Sequence, residues 1–264
     1  TCHKIFNDHL PEAGGRSLWA VLGQTGIPAA ADTYRPAAPL AIHDPCTSRD
    51  APAVQAAVRR LADRLNTKVE ELALGGDHTE CCGFGGLMQN ANPALARTVA
   101  QTRSRRSDSD YLTYCAMCRD NLAATGKRTV HLLDLLFPDP AVADPAVRPR
   151  PGWSRRRENR RRLKSDLLHK LWNASVDDLR EPDGDLVLDI ATDVAERLES
   201  RRILHANLRQ VIEHAEGGGA RFRHGDSGHY LGTRRLGGAT FWVEYTPAEN
   251  GYAVHNAYAH RMKV

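Results

Sequence analysis

Five cysteines of this chain fall in a pattern that can do chemistry: Cys46, the adjacent Cys81 and Cys82 ahead of Gly83, and Cys115 and Cys118, written C-x34-CCG-x31-CxxC. Thiolates are soft ligands that suit iron and zinc, and several brought together can saturate a metal centre. Parts of the pattern admit narrower readings. A CxxC at a helix start is also how a thioredoxin-like redox pair is presented, but a dithiol acting alone leaves Cys46, Cys81 and Cys82 without a role. Four thiolates satisfy zinc tetrahedrally, yet neighbouring side chains tend to point apart, so Cys81 and Cys82 suit a larger, multi-iron body better than a single ion. Zinc stays open as the alternative. Six cysteines would also make disulfides in a secreted protein, but the spacing favours a metal. The expected setting is therefore a reducing cytoplasm.

The flanking residues extend the pattern. His43-Asp44-Pro45-Cys46, Cys81-Cys82-Gly83-Phe84-Gly85-Gly86, Cys115-Ala116-Met117-Cys118 and Val130-His131-Leu132-Leu133-Asp134-Leu135-Leu136 resemble the cysteine-rich CCG domain of the B-type component of heterodisulfide reductase. The same domain occurs in iron-sulfur subunits of glycolate, lactate, glycerol-3-phosphate and some succinate oxidoreductases. The resemblance covers residues 38–137. It implies an iron-sulfur oxidoreductase subunit in which Cys46, Cys81, Cys82, Cys115 and Cys118 ligate a 4Fe-4S cluster, noncubane in heterodisulfide reductase, at which a disulfide is cleaved. It also implies partners: a ferredoxin-type iron-sulfur protein or domain, a flavoprotein subunit, and a small disulfide or thiol substrate. No C-x2-C-x2-C-x3-C run and no dinucleotide fingerprint occurs here, so the electron relay and any flavin are expected elsewhere. Two alternatives stand beside this reading. One is an electron-relay subunit of a flavin-linked 2-hydroxy acid dehydrogenase, and the other a zinc-stabilised assembly domain without catalysis. The opening Thr1-Cys2-His3-Lys4-Ile5-Phe6 resembles the end of a first CCG unit. Residues 1–37 are accordingly expected to be the tail of such a unit, with Cys2 a remnant of its cluster site.

The elements that must position these cysteines read as strands alternating with helices. Leu40–His43 is a short apolar strand, residues 53–65 repeat apolar positions at helical spacing, and residues 69–74 form a weaker strand. A helix is expected over residues 93–106 with Pro93 in its first turn, a strand over 111–114, a helix over 119–124, and a strand leading into a helix over 130–137. Such alternation predicts a mostly parallel sheet, which places ligands outside the carboxyl ends of its strands. The cysteines then converge from separate loops. Gly83, Gly85 and Gly86 let the backbone turn sharply and approach closely. Among the nearby histidines, His43 and His131 are expected to be framework residues at strand ends, with proton donation to a departing thiolate as the rival role for a histidine here, His78 included. Asp44 is expected to be a strand-end turn residue.

The remainder organises as a linker and a second domain. Residues 138–152 are proline-spaced and cannot be helix or central strand. From residue 153 the chain is expected to form a smaller α+β domain opening with a basic run, Ser154 to Lys164, that reads as a solvated helix face or a surface for an anionic partner. A strand over residues 185–190, a helix with a capping box at Asp193 and Glu196, a helix over 203–216, and a meander of strands over 230–236, 239–245 and 252–261 follow. Phe241-Trp-Val-Glu-Tyr-Thr-Pro and His255-Asn-Ala-Tyr-Ala-His-Arg-Met resemble an uncharacterised tail on some flavin- or iron-sulfur-dependent oxidoreductases, so an interaction or docking module is expected, with a simple cover for the cluster domain as the alternative. The fold class is thus α/β: a parallel-sheet cysteine-rich domain followed by a smaller α+β domain. With 264 residues and 41% hydrophobic content the chain can fill ordinary cores. A formal charge of +4 does not point to nucleic acid, and no apolar run approaches a bilayer span. Any membrane association is expected to run through partner subunits.

Overall fold

The computed structural model describes residues 2–27, 36, 38–173 and 186–262, without the side chains of Cys2 and Lys4. The reading of Cys2 as a remnant ligand therefore lies outside the described residues. The chain divides into two compact units, Thr1–Arg150 and Pro151–Val264.

The first unit runs α1 (Cys2–His9), α2 (Leu18–Thr25), β1 (Leu40–His43), α3 (Pro52–Arg64), β2 (Val69–Glu71), α4 (Met88–Ala91), α5 (Pro93–Ser104), β3 (Tyr111–Thr113), α6 (Ala116–Ala123), β4 (Thr129–His131) and α7 (Leu132–Leu136). Its four strands are all parallel, in the order β2-β1-β3-β4. Every residue of β1, β3 and β4 is buried, as parallel strands covered on both faces require. One core forms where Leu40, Ile42, Leu112 and Val130 of the sheet meet Val58 and Leu61 of α3 and Leu132, Leu135 and Leu136 at α7. Trp19 and Leu22 of α2 pack against the same core. Pro52 and Pro93 begin α3 and α5, where the missing N–H costs nothing, and the Asn92 carboxamide caps α5 by accepting from the Leu95 N–H at 3.0 Å. Helix α6 begins at Ala116, ahead of the expected start at residue 119, so Cys115 is its N-cap and Cys118 lies in its first turn.

The proline-spaced segment after Phe137 is laid against the first unit. The fully buried Arg119 guanidinium donates to the carbonyl of Thr129 in β4 at 3.3 Å, to that of Pro145 at 3.1 Å, and to that of Arg148. Arg148 and Arg128 add ion pairs to Asp134 at 3.1 Å and Asp144 at 2.9 Å.

The second unit contains α8 (Trp153–Trp172), β5 (Leu188–Ile190), α9 (Thr192–Ser200), α10 (His205–Glu216), β6 (Arg221–Arg223), β7 (Tyr230–Leu236), β8 (Ala239–Ala248) and β9 (Gly251–His260). Its five-stranded sheet has the order β5-β9-β8-β7-β6, antiparallel except for the parallel pairing of β5 with β9. Alternate residues of β8 and β9, among them Val243, Tyr245 and Val254, face Leu198, Leu208, Val211 and Ile212 of α9 and α10. Two sequence expectations change here. The sheet gains a short edge strand, β6, whose three residues are all exposed and carry no apolar alternation to announce it. The Asp193 and Glu196 capping box is absent: Ala191 is the N-cap of α9, and Asp193 instead pairs with Arg197 one turn on at 2.7 Å. The basic α8 buries none of its residues, and Asp185, the first residue of the expected strand, lies outside the described residues. Among the described residues no helix is long and apolar enough to cross a membrane.

The Arg119 contacts carry a prediction. Arg119→Met keeps the bulk but leaves the Pro145 and Arg148 carbonyls without their donor, so limited proteolysis should cut within residues 138–150 faster than in the wild type while the core-derived fragment stays resistant.

Candidate metal centre

The parallel order β2-β1-β3-β4 has a reversal between β1 and β3, and in open sheets of this kind the crevice at that reversal, outside the carboxyl ends of the strands, is where ligands sit. The cysteines lie around it. Cys46 follows β1 and opens a single 3-10 turn, Cys46–Ser48. Cys115 and Cys118 follow β3 at the start of α6, and Cys81 and Cys82 come from the long loop after β2.

One buried carboxylate joins these loops. Asp44, immediately past β1, accepts from the Tyr114 hydroxyl at 2.7 Å, from the Arg59 guanidinium at 3.0 and 3.1 Å, and from the Gly76 N–H at 2.8 Å. Its own carbonyl accepts from the Thr79 hydroxyl at 2.7 Å. Tyr114 stands next to Cys115, Thr79 stands two residues before Cys81, and Arg59 belongs to α3. Burial alone pushes the Asp44 carboxyl up, but Arg59, Tyr114 and the Gly76 N–H more than offset this and hold it below the ordinary carboxylate range. Ser48 shares the Tyr114 hydroxyl at 2.9 Å, and Arg49 donates to the Thr79 carbonyl at 3.2 Å, so the Cys46 turn is tied to both other loops.

The loop that carries the paired cysteines is also held from α5. Arg103 is fully buried and donates from Nη1 to the Leu74 carbonyl at 2.8 Å and to Glu80 at 3.3 Å, while Arg106 donates to Glu80 at 2.8 Å. The Asn121 amide of α6 donates to the Cys82 carbonyl at 3.3 Å. Gly83 has φ +86°, and a Cβ there would lie 2.3 Å from the Ala96 carbonyl oxygen, so this turn against α5 admits only glycine. At Gly85 a Cβ would sit 3.7 Å from the Cys81 Sγ and 3.9 Å from the Cys46 Sγ, which is room the loop keeps clear beside two sulfurs.

All five thiols meet as one connected set. Hydrogen-bonding neighbours run Cys46 to Cys81, Cys81 to Cys82, Cys82 to Cys118, and Cys118 to Cys115, and none of these cysteines is in a disulfide. The adjacent Cys81 and Cys82 do turn to different neighbours, Cys46 on one side and Cys118 on the other, while staying in contact with each other. Negative charge concentrates at Cys81. The Cys46 and Cys82 thiols donate to it, and the backbone N–H groups of Gly85 and Gly83, the latter at 3.3 Å, add to them, holding its thiol far below the ordinary range against the opposing effect of burial. Cys46 is pushed up because it holds the proton it shares with Cys81. Cys82 is pushed up to about 12: the Cys118 thiol pulls its value down, but the Cys81 thiolate and burial outweigh it. Cys118 rises because its proton is engaged by Cys115 and Cys82 in a buried position.

His43, at the carboxyl end of β1, is completely buried, and a ring nitrogen of it lies with the Cys82 and Cys118 sulfurs in a group whose atoms are all within 4.8 Å of one another. Such a group can hold a metal ion. Burial, with the Arg103 charge beside it, lowers His43 to about 3. His131 is a framework residue: its Nδ1 accepts from the Leu133 N–H at 3.1 Å while Asp134 accepts from the His131 N–H at 3.1 Å, capping α7. His78 is exposed beside Asp77. Two residues of the site escape a reading of the sequence. Asp44 passes there for a turn residue, and Arg103 for one more cation on a helix. Arg103 does carry a signal, since it falls in step with Ala96 and Ala100 on the buried face of α5, where a cation needs a reason.

The fold and the thiol set define a parallel α/β domain with a soft-ligand centre at its topological reversal. Residues 40–123 match the CCG family, the cysteine-rich domain. That segment is a cysteine-rich CCG domain, a domain typical of iron-sulfur oxidoreductase subunits, and it associates this protein with oxidoreductases. No curated protein and no solved structure matches the chain.

Asp44 and Cys81 can each be tested apart from any metal. In Asp44→Asn the neutral amide cannot replace a carboxylate that pairs with Arg59, and the expected loss in denaturant unfolding is about 3–5 kcal/mol. Because the Asp44 carboxyl is lowered on folding, its contribution is full above the ordinary carboxylate range and disappears as pH falls through the lowered value, so the variant should lose less stability on acidification than the wild type. In metal-free, reduced protein at pH 6, iodoacetamide should alkylate Cys81 first and the buried Cys82 and Cys118 last, as read by peptide mass mapping.

Proposed function

We propose that this chain is an iron-sulfur oxidoreductase subunit resembling the B-type component of heterodisulfide reductase, in which Cys46, Cys81, Cys82, Cys115 and Cys118 hold a 4Fe-4S cluster. The observation that carries this reading is the convergence of five thiols, none of them in a disulfide, from three loops onto the reversal point of a parallel sheet. The donor set suits iron and sulfide: all-sulfur, more numerous than a tetrahedral ion needs, and partly screened from solvent. Space kept clear at Gly85 beside Cys46 and Cys81 supports it further.

When bound, the cluster would supply one-electron transfer to a disulfide or related substrate. The chain's own residues do the rest. Cys81 offers a thiolate already stabilised by backbone N–H groups, so the first ligand needs no further deprotonation. Cys82 and Cys118 provide buried ligands at the base, whereas Cys46, Cys81 and Cys115 are partly exposed and form the side open to a substrate. Asp44, Arg59 and Tyr114 fix the loops so that the sulfurs stay at one separation in both oxidation states, which keeps reorganisation small. Electrons would come from a ferredoxin-type protein or domain, with a flavoprotein as the further partner.

Anaerobic purification with assay of iron, zinc and acid-labile sulfide tests the reading. About four irons with matching sulfide per chain and a redox-active paramagnetic signal are expected; about one zinc without sulfide would replace it with a structural domain. Cys81→Ser and Cys82→Ser should each lose iron and sulfide, and full retention in both would sink the ligand assignment. Gly85→Ala should fold normally, because its Cβ meets only ordinary contacts, yet bind less iron than the wild type because the methyl enters the space beside the Cys46 and Cys81 sulfurs.

A further inference from the structure

We infer that His43 serves the cysteine centre as a locked hydrogen-bond donor from Nε2–H to its sulfurs, and not as a metal ligand. The inference rests on the cluster reading above and concerns a residue outside its ligand set. His43 is the one histidine grouped with the cysteines among the described residues, and by type and distance it would pass for a ligand beside Cys82 and Cys118. The group behind its ring decides otherwise.

A guanidinium has only donors and stays protonated in proteins. The Nε–H of Arg103 points to the His43 Nδ1 at 2.9 Å, so Nδ1 must present its lone pair and the neutral ring must carry its proton on Nε2. Arg103 cannot easily turn away, since it is fully buried and its Nη1 is spent on the Leu74 carbonyl and Glu80. A histidine that ligates a metal normally has the opposite arrangement: its remote N–H donates to a carboxylate, carbonyl or water, which makes the ligating nitrogen more basic. Here the remote nitrogen accepts from a cation, and the near nitrogen has no lone pair to offer.

The near nitrogen also lacks anything to do. Among the described residues His43 Nε2 is buried without a hydrogen-bond partner, as is the Nη2 of Arg103. Buried donors are almost always satisfied. With Nδ1 committed to Arg103, Nε2 is the nitrogen left to meet the Cys82 and Cys118 sulfurs grouped with it. Thiolate or sulfide sulfur is the acceptor that this donor needs. Hydrogen bonds to the sulfurs stabilise the more negative, reduced state of a cluster, so the donor should raise the reduction potential. His43 therefore tunes the centre through its ligands, and Arg103 acts behind it as the residue that sets the tautomer.

The test uses the full chain, purified without oxygen from cells fed 15N-histidine, with iron and acid-labile sulfide measured on the same sample. Pulsed electron paramagnetic resonance of the paramagnetic state should show a weak histidine 15N coupling together with a proton coupling that disappears in deuterated water. A coupling of the size given by a directly bound nitrogen would overturn the inference, and so would the absence of any histidine coupling. His43→Phe should keep full iron and sulfide and shift the midpoint potential to more negative values, with His43→Gln, which restores an N–H, returning it toward the wild type. Loss of iron in a folded His43→Phe, or an unchanged potential, would overturn it. Should His43→Phe fail to fold, the labelled wild-type protein still decides. Absence of iron and sulfide from the wild type would instead bring down the cluster reading itself and this inference with it, whereas a loaded cluster without histidine coupling would remove this inference alone.

Discussion

A carboxylate buried between β1 and β3 is the tie around which the cysteine loops are arranged. Asp44 takes hydrogen bonds from Arg59 on α3, from Tyr114 beside Cys115 and from the Gly76 backbone on the way to Cys81, while its carbonyl takes one from Thr79. Those donors come from three stretches of chain, α3, the residue after β3 and the loop that leads to Cys81, and each stretch leads to a cysteine or braces one. A buried charge is costly unless it is paired and fully hydrogen-bonded, and this one is both. The same cost explains the specificity of the arrangement: a loop shifted by one residue would leave Asp44 with an unmatched charge in the interior.

Around that tie the electrostatics of the thiols are uneven. Five thiolates packed together would repel strongly, and without a metal the set settles its charge on Cys81, where backbone N–H groups and neighbouring thiols can hold it. Cys46, Cys82 and Cys118 keep their protons and pass hydrogen bonds along the chain of sulfurs. A metal body would take over the role those protons play in moderating repulsion. Arg103 and His43 stand on the buried side of the same centre, the one a fixed cation and the other a neutral ring turned by it.

The cysteines and the alternation of elements are plain in the sequence. Soft-ligand chemistry demands specific residue types, and the apolar runs of β1 and β3 and the prolines at the starts of α3 and α5 are local signals. The supports are harder to read because their meaning is not local. Asp44 looks like any residue after a strand until Tyr114 and Gly76 are beside it. Arg103 is visible as an anomaly on an apolar helix face, but its partner His43 lies on a strand far earlier in the chain. The start of α6 at Ala116 is hidden because Cys115, as N-cap, offers no side-chain signature of the Ser, Thr or Asp kind. In the second unit Asp193 and Glu196 meet the motif for a capping box, yet an ion pair one turn along claims Asp193.

The strand order has a further consequence for how the chain is made. Ala41 of β1 pairs with Tyr111 of β3, so the central pairing of the first sheet joins stretches that leave the ribosome well apart in time. Cys46 emerges early and waits, solvated and unpaired, until Tyr111–Cys118 has followed and docked. Non-local parallel pairing of this kind is slow to form. The cysteines are therefore most vulnerable to oxidation during synthesis, before the sheet closes, and any metal would find all five together only on a chain that has folded through β3 and the start of α6.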